Sequence, residues 1–138
     1  MKPAWSKPFF DSIFERIVAG GLVVLLGLSL LAAIAAPPNT ADVLSYHLPR
    51  LLMWLQQGGV QHFVTADDRE LMMPPLAEMI QAHAMLLCGG DHWANLLQWI
   101  GYALGMIAVS LLARELGASG RGQWLAAFIF ATLPMAYL

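Results

Sequence analysis

Asp42, Tyr46, His47 and Arg50 lie within nine residues, spaced one to two turns apart if the segment is helical. A carboxylate such as Asp42 can take a proton from a hydroxyl nucleophile or bind a cation. Arg50 suits phosphate, because its planar donor fork matches phosphate oxygens. Each also has a plainer reading. Asp42 can be a first-turn acid that complements a helix dipole. Arg50 can be an interfacial arginine that snorkels toward water, and His47 a structural hydrogen-bonder. Further on stand Asp67, Asp68, Arg69 and Glu70, most simply a solvent-exposed acidic turn, and then Glu78, which faces either a cavity or water.

Other chemistries leave no pattern. His47, His62, His83 and His92 show no tight ligand spacing, so no zinc site is read. A lone cysteine, Cys88, forms no intrachain disulfide and reads as a small buried hydrophobe. There is no nucleophile elbow, P-loop or dinucleotide fingerprint. A net charge of -2 offers no basic surface for nucleic acid.

The elements that must position these residues belong to a membrane protein. The chain is 59% hydrophobic and 12% charged. Soluble domains carry roughly 25% charge, and here the apolar residues cluster in long blocks. Residues 17–36 are uncharged and long enough for one bilayer core, and Pro37-Pro38 stop that helix. A cleaved signal peptide is the competing reading. Against it, the apolar run is too long and Asp11 and Glu15 precede it. Residues 93–113 form a second span, with Asp91 as N-cap and the helix beginning at His92 or Trp93. Trp93 and Trp99 mark its interface end. Gly101 and Gly105 form a small-residue surface for packing on further helices. Residues 123–138 begin a third apolar helix, and the chain is expected to continue past it.

Lys2, Lys7 and Arg16 precede the first span, and Arg114 and Arg121 flank the turn after the second. The positive-inside rule puts both regions in the cytoplasm, and the 37–92 loop in the periplasm or cell exterior. That loop holds six of the nine acidic residues. It is expected to contain two interfacial helices. The first, about 41–57, is capped by Asn39 or Thr40. Its apolar stripe is Leu44, Leu48, Leu51, Leu52 and Leu55; Pro49 kinks or divides it, and Gly58-Gly59 end it. The second, about 75–88, opens at Pro74-Pro75 and ends at Gly89-Gly90. The fold class is all-α: polytopic transmembrane helices with two amphipathic helices in the first extracytoplasmic loop.

An ordered set of short segments resembles a known family. Asp42 and Tyr46 are followed by Trp54-Leu55-Gln56-Gln57-Gly58-Gly59 and Met73-Pro74-Pro75-Leu76-Ala77-Glu78. Gly89-Gly90-Asp91-His92-Trp93-Ala94 and Asn95-Leu96-Leu97-Gln98 complete it. The set is similar to the N-terminal part of the GT-C glycosyltransferases, of the protein mannosyltransferase and aminoarabinose transferase kind, over about residues 17–135. The resemblance implies a polytopic enzyme that moves a sugar from a polyprenyl-phosphate carrier to an extracytoplasmic acceptor. It carries the family's essential loop acid onto Asp42, as base or cation-binding group. Arg50 takes the lipid-phosphate contact, with Tyr46, His47, Arg69 and Glu78 as further substrate-binding members. The implied partners are the lipid-linked donor and membrane lipids. A divalent cation is the one cofactor class implied, with Asp42 its only candidate ligand. Two departures stand out: Val43 replaces a second acid, and Met73 a lysine before the proline pair. The rival reading is a non-enzymatic membrane protein, an assembly subunit or a transporter segment. Against a transporter, the apolar spans hold no ionisable residue.

Overall fold

The computed structural model describes residues 12–91 and 93–133. Every regular element among them is helical: α1 (Ile13–Ala35), a π-helical turn (Val43–His47), α2 (Leu48–Gln57), α3 (Arg69–Met72), α4 (Leu76–Cys88), α5 (Ala94–Glu115) and α6 (Gly120–Thr132). The chain divides into two compact units, residues 1–30 with 99–138, and residues 31–98.

In the first unit α1 begins four residues before the uncharged run. Ser12 and Glu15 form a capping box: the Ser12 amide donates to Glu15 (3.2 Å) and the Glu15 amide to the Ser12 hydroxyl (3.4 Å). Helices α1 and α5 are long and apolar enough to cross a membrane, at 23 and 22 residues. Each leaves most of its apolar surface uncovered by the chain itself. The core that does form joins Val18 and Leu22 of α1, Tyr102 and Met106 of α5, and Ala127 and Ala131 of α6. Polar groups in this apolar setting are paired, as low dielectric demands. Tyr102 donates to the Ala131 carbonyl (2.7 Å), and the Trp99 indole to the Leu26 carbonyl (3.1 Å) and Ser29 (3.2 Å). Gly105 packs on α6: a Cβ there would stand 2.5 Å from Phe130 Cζ, whereas one on Gly101 would meet nothing within 4 Å. Ser119 caps α6, which therefore opens at Gly120 rather than 123. The end of the third apolar segment, residues 134–138, lies outside the described residues, as does His92.

In the second unit, Thr40 caps the first loop helix through the Val43 amide (3.4 Å), as expected. Pro49 does not divide it. Proline has no amide proton, so the helix loses a bond at that point. The chain responds with a π turn: the Leu48 amide donates to the Val43 carbonyl, five residues back. Gly58 and Gly89 then end α2 and α4 in the left-handed conformation that glycine adopts without cost (φ 68° and 72°). Helix α5 starts at Ala94, whose amide bonds the Asp91 carbonyl (2.9 Å). Asn95 of α5 donates to the Ala36 carbonyl at the end of α1 (2.8 Å).

Two expectations need correction. Cys88 is exposed at the last residue of α4, not a buried hydrophobe. The turn at Thr65 to Glu70 is exposed at Ala66, Asp68 and Arg69, as expected, but its end winds into α3 and buries Glu70.

Candidate functional site: a buried arginine hub beneath an exposed acid

Helix α2 lies on α4, and the π turn against α3. The face they bury takes in only part of the leucine stripe. Tyr46, Arg50, Leu51 and Trp54 point inward, while Leu44 and Leu52 are exposed. Positions 46, 50 and 54 recur every four residues, which is one helical face. The packed side is thus the edge of the leucine stripe, Leu51 with the aromatic Tyr46 and Trp54, carrying one buried charge, Arg50, while Ser45, Gln56 and Gln57 stay exposed.

Arg50, only 2% exposed, is the hub of that packing. Its Nε donates to the Glu70 carbonyl, Nη2 to the Met73 carbonyl (2.9 Å) and Nη1 to Glu78 Oε1 (3.2 Å). Its guanidinium also lies over the Trp54 ring, 5.3 Å from the centroid. The two carbonyls sit in and just after the four-residue α3, where Pro74-Pro75 prevent continuation and leave helix-end acceptors unfilled. One guanidinium therefore joins α2, α3 and α4. Glu78 is 1% exposed and supplies the countercharge; its Oε2 is buried and has no hydrogen-bond partner among the described residues.

Glu78 Oε1 also meets His47 Nδ1 at 2.6 Å. The His47 ring is part-exposed and stands against Tyr46, with centroids 4.0 Å apart. The Arg69 guanidinium covers the Tyr46 ring at 4.7 Å. Arg69 is in turn paired with Asp67, through Nη2 to Oδ2 (2.6 Å) and Nε to Oδ1 (3.0 Å). Those hydrogen bonds hold the Asp67 carboxyl below the usual aspartate range. They also raise the Arg69 guanidinium, with smaller contributions from the charges of Asp42 and Tyr46. Asp42 itself is exposed on the first turn of the helix, within electrostatic reach of Arg69.

The fold thus links Tyr46, His47, Arg50, Arg69 and Glu78 by direct contact, and Asp42 acts on Arg69 through its charge. Arg50 is the member whose setting differs most from the sequence reading, since each of its three nitrogens already serves a protein acceptor. Arg69 keeps a half-exposed guanidinium. Sequence reasoning missed Glu70, whose carbonyl anchors Arg50. The available signal was Thr65-Ala66-Asp67: the Asp67 carboxylate accepts from the Arg69 amide (3.0 Å) and so nucleates α3. Beside the hub, Trp54, His62, Phe63, Met73, Met79 and Arg50 help line a cavity of about 200 Å³.

A divalent cation does not fit these residues as a protein-held group. Among the described residues no three histidine, cysteine, aspartate or glutamate side chains come together, and Asp67 is occupied by Arg69. Compared with protein-family models, characterised proteins and solved structures, the chain matches none.

Proposed function

We propose that this chain is part of a membrane glycosyltransferase of the GT-C kind, which moves a sugar from a polyprenyl-phosphate carrier to a hydroxyl acceptor at the membrane surface. The observation that carries the reading is that an exposed acid, Asp42, and the half-exposed cation Arg69, whose guanidinium feels the Asp42 charge, stand on the elements that the buried Arg50–Glu78 anchor joins. The acceptor oxygen attacks the anomeric carbon as its proton passes to Asp42. The bond from that carbon to the phosphate oxygen breaks, and its electrons leave with the lipid phosphate. Arg69 faces the charge that grows there. Such a base contributes roughly 10² to 10⁴ in rate. Arg50 acts in this reading as a positioning residue, through the helix that carries Asp42.

A membrane setting is supported by two features. Two helices have the length and apolarity to cross, and the loop helices turn apolar side chains outward: Leu44, Leu52, Leu76, Ile80 and Leu87 are exposed. Sidedness is supported by Arg121, which stands 3.8 Å from Glu15, so the start of α1 and the turn before α6 share one end of their unit. Among the described residues Arg16, Arg114 and Arg121 flank the spans there, and we assign that end to the cytoplasm. The loop at 37–92 is then extracytoplasmic.

The test is transfer by membranes from cells producing the protein, offered a panel of radiolabelled polyprenyl-phosphate sugars. Label reaching a lipid or glycan acceptor, above membranes lacking the protein, is the expected result. No transfer from any donor in the panel counts against the enzyme reading.

A further inference from the structure

A buried ion pair that also grips a part-exposed histidine raises a question of tautomer. Glu78 Oε1 is shared: Arg50 Nη1 donates to it at 3.2 Å, and His47 Nδ1 lies 2.6 Å away. A carboxylate oxygen only accepts. The nitrogen facing it must therefore carry a proton. In neutral imidazole the other nitrogen is then an acceptor, and a histidine's working nitrogen is set by the bond its other nitrogen makes. The charges of Arg50 and Glu78 already balance, so neutral His47 leaves the trio neutral.

We infer that Glu78, held by Arg50, fixes His47 with its proton on Nδ1, and that the outward Nε2 accepts a hydrogen bond from a hydroxyl of the sugar substrate. The sugar identity rests on the glycosyltransferase reading; the tautomer does not. The His47 side chain is 32% exposed while Glu78 is 1% exposed, so the ring is anchored at Nδ1 to a buried group and still reached by solvent. An acceptor at that edge discriminates. It favours a group with a hydrogen to give and is repelled by a phosphate oxygen. His47 is in this account a specificity residue beside Asp42. It gives Glu78 a second role, since a carboxylate needed only to neutralise Arg50 has no reason to meet a half-open imidazole.

Two measurements on the full chain in nanodiscs test this. The first is the nitrogen spectrum of ¹⁵N-histidine-labelled protein, with the His47 signals identified by their loss in His47→Asn. A pyrrole-type Nδ1 and a pyridine-type Nε2 are expected for the neutral ring. In Glu78→Gln, where the amide can donate as well as accept, the signals should become a mixture of tautomers. A pyrrole-type Nε2 in the neutral wild-type ring overturns the inference.

The second is transfer kinetics of His47→Asn. The asparagine amide keeps a donor near the Nδ1 position, so the contact with Glu78 survives while Nε2 is removed. One lost neutral hydrogen bond should raise KM about 3- to 10-fold with kcat within about twofold. A deoxy substrate lacking the bound hydroxyl should show no such difference between the two proteins. An unchanged KM across every hydroxylated substrate overturns the ligand assignment. A wild-type protein that transfers no sugar overturns the glycosyltransferase reading and that assignment together, while the nitrogen signals still decide the tautomer.

Discussion

The Arg50 guanidinium meets the Glu78 carboxylate at 3.2 Å with both side chains almost wholly enclosed. Enclosing two charges is costly, and removing one partner leaves the other uncompensated, typically a loss of about 3–5 kcal/mol. Glu78→Ala should therefore loosen α2, α3 and α4 together. Arg50→Lys should do nearly as much, because one ammonium cannot reach the Glu70 carbonyl, the Met73 carbonyl and Glu78 from a planar fork. Hydrogen exchange across 41–57 and 76–88 measures this. Exchange as slow as wild type in both variants would show that the hub does not hold the unit together.

A pH dependence follows from Asp67. Its folded carboxyl is held low by the Arg69 hydrogen bonds, so the contribution is complete above the ordinary aspartate range and is lost as pH falls through the lowered value. Carboxyl NMR of Asp67 should titrate below an unpaired aspartate, and Arg69→Gln should return it toward the ordinary range. The pair is exposed, so the consequence is local order in α3 rather than global stability. An Asp67 titration unmoved by Arg69→Gln contradicts the pairing.

The two small residues of α5 should separate cleanly. Gly105→Ala places a methyl against Phe130 and should cost about 1–3 kcal/mol as overpacking. Gly101→Ala meets nothing within 4 Å and should be neutral or slightly stabilising through helix propensity. Melting temperature in mild detergent reads both. Phe130→Leu combined with Gly105→Ala should recover part of the loss, and no recovery would place the strain elsewhere.

Sidedness is open to direct labelling. Val64 is fully exposed between α2 and α3. In a Cys88→Ser background, since Cys88 is itself exposed, Val64→Cys should react with an impermeant thiol reagent in spheroplasts. Reaction only after lysis would reverse the proposed orientation.

The helices were legible where chain stops and periodicity are local. Pro37-Pro38, Thr40, Gly58 and Gly89 place their boundaries within a few residues of the observed ones. What sequence could not resolve was which face of the first loop helix packs. The leucine stripe splits: Leu51 is buried with Tyr46, Arg50 and Trp54, while Leu44 and Leu52 stay exposed. The π turn was half visible, in that Pro49 announced a break but not how the chain absorbs it. The grouping of His47, Arg50 and Glu78 depends on contacts spanning 28 to 31 residues, which no local spacing encodes. Glu70 was hidden because its role belongs to its backbone carbonyl, a group that every residue has.

The central claim is that Asp42 is the carboxylate of a sugar transfer reaction. Its most direct test compares wild type, Asp42→Asn and Asp42→Glu at matched membrane levels, using the donor that the wild type accepts. Asp42 is exposed, so the substitutions should leave insertion and the hydrogen exchange of α2 unchanged. The account predicts that Asn lowers transfer about 10²-fold or more, with Glu recovering part of it. Transfer by Asp42→Asn at the wild-type rate would contradict it.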